Sequence, residues 1–362
     1  MEMTTHEHRK TVIAGMSGGV DSSVAALLLK EQGYVVKGVA LKLWAYRSEN
    51  PCCSTEDLDD AAKTARQIGI EFEILDMQRQ FKEIVVDYYG RELSCGRTPN
   101  PCVVCNDRLK FGLLLDYALQ NKYDYVATGH YVRVRVDGQG YHLERALDPN
   151  KDQSYFLFML DQQRLARALF PLGGLEKGTV RELARKAEFV TCSKRDSQEL
   201  CFLPEGGLGE FVKWYGPLYM REGEIRNGNK VVVGRHRGLP FYTIGQRRGL
   251  GLYTSAPVYV INKNTADNSI TIGTEEGLLS GTFSVRGVHW ISGAAPSLPL
   301  RADVKIRYRH SGKEAEISKK DDRIIVKFDS PQKAITPGQA AVFYRDNEVL
   351  GGGWIWEVEE WI

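Results

Sequence analysis

The chain has 362 residues, 43% of them hydrophobic and 26% charged, which at about 150 residues per domain makes two to three domains with cores of their own. A single small binding module and a disordered chain are both excluded. The 48 basic and 46 acidic side chains leave a net charge of +2, so a polyanionic partner must be held by local patches, because no global field would hold it.

The first third alternates strand-like and helix-like runs, the pattern of a parallel sheet covered by helices. Residues 11–16 read as a strand, and after Ser17-Gly18-Gly19 a helix runs from Val20 to a stop at Gly33. Strands are expected at 35–43, 72–75 and 125–128, and helices at 56–68, 81–89 and 106–119. A hairpin follows at 131–136 and 141–145, turning at residues 137–140. Helical segments are expected near 161–169 and 177–187. Beyond residue 201 short strands dominate, at 230–233, 258–261, 269–272, 304–308, 323–328 and 341–344. The fold expected is α/β: a Rossmann-like parallel-sheet domain at 1–202, a small central β-rich domain at 203–276 and a C-terminal β-barrel at 277–362. No stretch approaches the roughly 18 to 20 apolar residues that cross a bilayer, and residues 1–10 lack the apolar centre of a secretory signal. A soluble, cytoplasmic chain with no membrane partner is the expectation.

Residues 17–23 place two glycines, three serines and one aspartate between a strand and the first turn of a helix. Glycine lets backbone N–H groups turn toward a ligand, hydroxyls add donors, and the helix start adds partial positive charge. That is a phosphate cradle, without the Gly-Lys-Ser/Thr of a Walker loop or the glycine spacing of a dinucleotide fold. Asp21, an acid inside an anion site, is explained as a magnesium contact that offsets phosphate charge. The plainer alternative is a capped glycine turn that needs no ligand.

Seven cysteines in a chain of this length favour reduced, catalytic or metal-bound thiols over a disulfide framework. Cys102 and Cys105 lie in a proline-restricted segment, 96–106, which ends at the expected helix start, where a thiolate at Cys105 is favoured. Cys201 lies far away in sequence. Two reactive thiols on separate loops suit sulfur transfer: one carries a persulfide, and the other attacks or closes a disulfide as sulfur leaves. Cys52-Cys53, Cys95 and Cys192 are assigned to packing, with Cys52-Cys53 open to oxidation if exposed.

Residues 15–23 resemble the loop of the PP-loop ATP pyrophosphatases, which cleave ATP between the α and β phosphates. With the segments 96–106, 127–131, 151–156, 201–202, 243–251 and 337–340, the chain resembles the bacterial and organellar tRNA-specific 2-thiouridylases over nearly its whole length. The resemblance implies an enzyme that adenylates the 2-oxygen of the wobble uridine of tRNA and replaces it with persulfide sulfur, using ATP and Mg2+. It implies ATP binding by Gly15, Met16, Ser17, Gly18, Gly19, Val20, Asp21 and Ser22, with Leu41 and Gly129 as further nucleotide contacts. Cys105 matches the nucleophile and Cys201 the persulfide carrier. Asn100, Pro101 and Cys102 match the segment that meets the target base, and His130, Lys151, Asp152, Gln153, Arg307, Tyr308 and Gln339 match tRNA contacts. The partners implied are tRNA and a persulfide relay protein or sulfide source.

Some members of the family carry an aspartate where this chain has Cys102. Two readings of that third thiol stand side by side: Cys102, Cys105 and Cys201 supply three corners of an iron–sulfur cluster, or Cys102 is a small loop residue. Lys305, Arg307 and Arg309 recur with period two, which on a strand makes a one-faced cationic row able to track phosphates, or simply a solvated face. Arg235-His236-Arg237 and Arg247-Arg248 add two basic turns. An amide-forming synthetase would share the phosphate loop without requiring paired cysteines, and an RNA-binding protein would have no use for the loop.

Overall fold

The computed structural model describes residues 9–44, 55–194, 200–204, 206–216 and 220–359. The chain divides into two compact units, Met1–Ile84 with Val104–Phe202, and Val85–Val103 with Leu203–Ile362. Cys52-Cys53 lie outside the described residues.

The first unit is built on a wholly parallel sheet. Its strands are β1 (Thr11–Gly15), β2 (Val35–Lys42), β3 (Glu71–Asp76), β4 (Tyr125–Ala127) and, after the hairpin β5 (Val132–Asp137) and β6 (Gly140–Arg145), β7 (Ala168–Leu169). Their order is β3-β2-β1-β4-β7, and each neighbouring pair runs parallel. Val12, Ile13 and Ala14 of the central strand are buried, as a strand covered on both faces requires. The helix Val20–Glu31 buries Val20, Val24, Ala25, Ala26 and Leu29 against the same core, joined by Val180 and Ala184 of the helix Lys177–Lys186.

The sequence-based boundaries hold to within a few residues for most of these elements and depart in two places. Residues 161–169 are not one helix: Asp161 caps a single turn, Gln162–Leu165, by accepting Arg164 N–H at 2.8 Å, and β7 then joins the sheet beside β4. The helix expected at 106 begins at Pro101, whose missing N–H and preset φ suit a first helical position. One turn, Pro101–Val104, is followed directly by a widened i→i+5 stretch, Cys105–Leu113, and by Leu114–Gln120.

The second unit carries two sheets. β8 (Gly223–Arg226), β9 (Val232–His236), β10 (Tyr259–Asn264) and β11 (Ser269–Gly273) pair in the order β10-β11-β8-β9. Six antiparallel strands then follow: β12 (Leu279–Trp290), β13 (Leu300–Lys305), β14 (Lys313–Lys320), β15 (Arg323–Lys333), β16 (Ala340–Arg345) and β17 (Glu348–Val358). They run β12-β15-β14-β13-β16-β17, and β12 pairs again with β17, which closes a barrel and removes its open edges. Alternate residues Ala315 and Ile317, Val326 and Phe328, and Ala341 and Phe343 fill its interior. The helices Asp87–Ser94 and Gly207–Tyr215 pack in this unit through Tyr89 on Phe211, 5.3 Å between ring centroids.

The basic row does not form as expected. β13 ends at Lys305, and the chain turns where His310 N–H bonds Arg307 O at 3.0 Å. Lys305 is buried with Ile306, while Arg307 and Arg309 are exposed, so strand periodicity does not extend through the three cations.

Candidate functional site

In the first unit β1 has β2 on one side and β4 on the other, so the sheet's direction of winding reverses between β1 and β4. Ligands of open α/β sheets bind in the crevice beyond the carboxyl ends of such strands. The two segments that emerge there are residues 16–19 after β1 and Thr128-Gly129-His130 after β4. A Cβ on Gly129 would stand 2.8 Å from the Asp21 carbonyl carbon and from Ser22 N, so the two segments touch at backbone distance.

The loop holds its shape by its own bonds. Met16 N–H donates to Val39 O of β2 at 2.8 Å. Ser17 N–H donates to Ser22 Oγ at 3.1 Å, and Ser22 and Ser23 hydroxyls donate to Gly19 O at 3.1 and 2.9 Å. Gly18 has φ +73°, and a Cβ there would fall 2.2 Å from Asp57 O. The helix start at Gly19 carries no side-chain cap, the condition for first-turn N–H groups to serve an anion. Ser17 lies at the surface, whereas Ser23 is fully buried and bonded by Thr191. Leu41 lies half-buried in β2, opposite Leu75 of β3.

Asp21 is held by two groups. Lys177 Nζ stands 2.6 and 2.7 Å from its two carboxylate oxygens, and the Tyr131 hydroxyl donates to Oδ1 at 2.7 Å. Lys177 is buried and lies over the Tyr131 ring at 5.8 Å. Neither residue is among the candidates read from the sequence by role. A signal was present: Lys177 opens a helix, the end where the peptide dipole disfavours a cation. A lysine kept there against the dipole is held for another charge.

Several expected RNA contacts carry structural bonds. His130 is buried, bonded through Nδ1 to Thr128 Oγ1 at 2.7 Å, and packed with Phe111 and Phe170. Burial, with the nearby Lys110 charge, pushes its imidazole well below the usual histidine range, so it is neutral at pH 7. Asp152 is buried and accepts Ala146 N–H, Ser154 N–H and the Ser154 hydroxyl. Gln153 Oε1 accepts Tyr131 N–H at 2.9 Å, and Gln153 N–H donates to Tyr131 O. Lys151 is half-buried beside them.

Cys105 is buried and Cys201 exposed. Cys105 is the fifth residue of the helical run from Pro101, where α geometry gives way to the widened stretch, so it does not sit at the helix N-terminus. Asn106 Nδ2 donates to Phe156 O at 3.2 Å. Among the described residues no group of three or more His, Cys, Asp or Glu is placed to hold a metal ion.

In the second unit Asn100 is buried, and Cys102 is half-buried in the first helical turn after it. Arg97, three residues earlier, meets both Glu92 carboxylate oxygens at 3.1 Å and lies over the Trp356 ring at 3.7 Å. Arg307 Nη1 donates to Lys333 O at 3.0 Å, and the Tyr308 ring lies 5.8 Å from Lys305 Nζ. Gln339 Nε2 donates to Thr98 O at 2.8 Å.

Three sequence families match the chain in succession: the tRNA methyl transferase HUP domain at residues 10–205, the tRNA methyl transferase PRC-barrel domain at 209–274 and the aminomethyltransferase beta-barrel domain at 280–355. The tRNA-specific 2-thiouridylase MnmA of Geobacter metallireducens is 43% identical over 97% of this chain and 98% of its own length. That of Symbiobacterium thermophilum is 44% identical over 96% of this chain and 92% of its own length. A solved structure of the U34-tRNA thiolase NcsA from Methanococcus maripaludis with its [4Fe-4S] cluster covers 53% of this chain and 60% of its own at 21% identity and a TM-score of 0.35, too distant to bear on this chain's ligands. No helix among the described residues is long and apolar enough to cross a membrane.

Proposed function

This chain belongs to the tRNA-specific 2-thiouridylase family, and on that premise we propose that it thiolates the wobble uridine of tRNA at the expense of ATP. The observation that carries the reading is the uncapped helix start at Gly19, set at the sheet's switch point, with an acid and a buried lysine beside it. A methyl transfer, the reaction named in two of the matching family descriptions, has no use for a phosphate cradle or for paired thiols.

The chemistry proposed has two stages. The uracil 2-oxygen attacks the α-phosphorus of ATP, pyrophosphate leaves, and the oxygen becomes part of an AMP leaving group. Gly15 to Ser22, with Leu41 and Gly129, are assigned to the nucleotide. Lys177, released from Asp21, is assigned to the leaving phosphates. Asp21 is a hard oxygen donor of the kind that would hold a magnesium ion, which neutralises phosphate charge when bound. In the second stage a persulfide on Cys201 delivers its outer sulfur to uracil C2, directly or as sulfide freed by Cys105. AMP departs with the 2-oxygen, the Cys105 thiolate bonds the inner sulfur of Cys201, and a thiol reductant regenerates the pair. The exposure of Cys201 supports its loading by a persulfide relay protein or sulfide source, and the burial of Cys105 supports an internal, resolving role.

Asn100, Pro101 and Cys102 are assigned to the target base, and Lys151, Arg307 and Tyr308 to tRNA. His130, Asp152 and Gln153 are assigned to shaping that surface, since their polar groups bond neighbouring backbone and side chains. By stretch, we assign ATP chemistry to 1–202, a linking role to 203–276 and tRNA binding to 277–362. The test is pyrophosphate release: it should require tRNA, and in Cys201→Ser it should no longer be coupled to sulfur incorporation. Release that ignores tRNA would overturn the reading.

A further inference from the structure

The turn Pro337-Gly338-Gln339 of the barrel grips the segment that leads into Asn100, Pro101 and Cys102. Thr98 N–H donates to Pro337 O at 2.9 Å. Gln339 Nε2 returns a bond to Thr98 O at 2.8 Å and reaches Pro99 O at 3.5 Å. Between them Gly338, at φ +93°, approaches so closely that a Cβ would stand 2.9 Å from Arg97 Cβ and 3.0 Å from Thr98 N. The turn is itself anchored, because Gly338 N–H donates to Ile355 O and Ile355 N–H to Gln339 O, both at 2.9 Å. Ile355 is fully buried in the barrel core. Next to the turn, the Arg97 and Arg286 guanidinium groups lie over the Trp356 ring at 3.7 and 3.8 Å.

Both backbone polar groups of Thr98 are thus committed to the barrel, two residues before Asn100. A backbone pinned at its N–H and its C=O has little freedom left, and the residues that follow inherit its direction. We propose that Gln339 is a positioning residue: its amide fixes Thr98, and through it the placement of Asn100, Pro101 and Cys102 against the target uracil. The proposal rests on the reading that these three residues meet the base. It differs from a direct tRNA contact in what it predicts, because a contact residue supports binding whereas a positioning residue supports turnover once tRNA is bound.

Gln339→Glu tests this with a side chain of the same size whose carboxylate faces the Thr98 carbonyl and cannot donate to it. Gln339→Ala removes the group altogether, and melting temperatures check that both variants fold. Three quantities are measured on the full chain: hydrogen exchange of the 92–104 peptide without tRNA, tRNA affinity, and single-turnover thiolation at saturating tRNA. We expect exchange to quicken about tenfold and thiolation to slow by about tenfold to a hundredfold, with affinity changed less than about twofold, as for a misplaced reacting group. Unchanged exchange overturns the proposal, and so does an affinity loss with the saturated rate intact. Wild-type protein that binds tRNA without thiolating it would instead sink the functional reading, while exchange still judges the dock.

Discussion

Lys177 sits at a helix start, where the dipole opposes its charge, and is paired there with the carboxylate of Asp21, in the first turn of the helix Val20–Glu31. On the function proposed, phosphates entering the loop before that helix would offer the lysine a second anion. Lys177→Met should therefore weaken ATP affinity about tenfold, roughly 1.4 kcal/mol, in calorimetry without tRNA. An unchanged affinity would remove Lys177 from the nucleotide site. His130 makes a different prediction. Its folded pKa lies well below the ordinary value near 6.5, so below that pH the unfolded chain binds the extra proton. The stabilising contribution is present above pH 6.5 and is lost as pH falls toward the folded value. His236 and His310, also lowered chiefly by burial, act in the same sense. Denaturant titrations of His130→Asn should show the acid-side slope reduced by about one proton, or about 1.4 kcal/mol per pH unit. A slope equal to wild type would contradict the buried neutral imidazole.

At the scale of elements, the two loop glycines separate conformation from composition. Gly18 has a positive φ and no room for a Cβ against Asp57, whereas Gly19, at φ −104°, has nothing nearer than Ser17 Oγ at 3.6 Å. Gly18→Ala should cost on the order of 2 kcal/mol in stability, with loss of ATP binding, and Gly19→Ala should stay within about 0.5 kcal/mol. Equal effects would show that the loop is not held as described. The same local physics decides what could be read from sequence. The apolar runs of β1 and β2, with a glycine turn and a helix between, announce a buried parallel sheet. β7 has two residues and shows no period at all. The helix at Pro101 starts with residues that also suit a turn, so only its later half was legible. Lys305, Arg307 and Arg309 follow strand spacing, but the hydrogen bond that turns the chain there leaves no trace in a period-two pattern.

Over the whole molecule, the net charge of +2 means that the tRNA binding proposed above would fall to local groups, and Arg307 and Arg309 are both exposed. Replacing both with Ala should reduce the salt dependence of tRNA affinity by up to about two counterions. An unchanged slope would place the RNA elsewhere. The turn from β1 into the helix at Val20 was legible because its glycines and serines lie at short spacing. Lys177 on Asp21 and Gln339 on Thr98 were not, because each pairs residues more than 150 positions apart. Mass spectrometry of tRNA nucleosides after incubation with ATP, magnesium and a persulfide donor tests the central claim most directly. The account predicts 2-thiouridine at the wobble position with wild-type protein and none with Cys201→Ser. Unmodified uridine with a fully loaded wild-type enzyme, or thiolation that survives loss of Cys201, would contradict it.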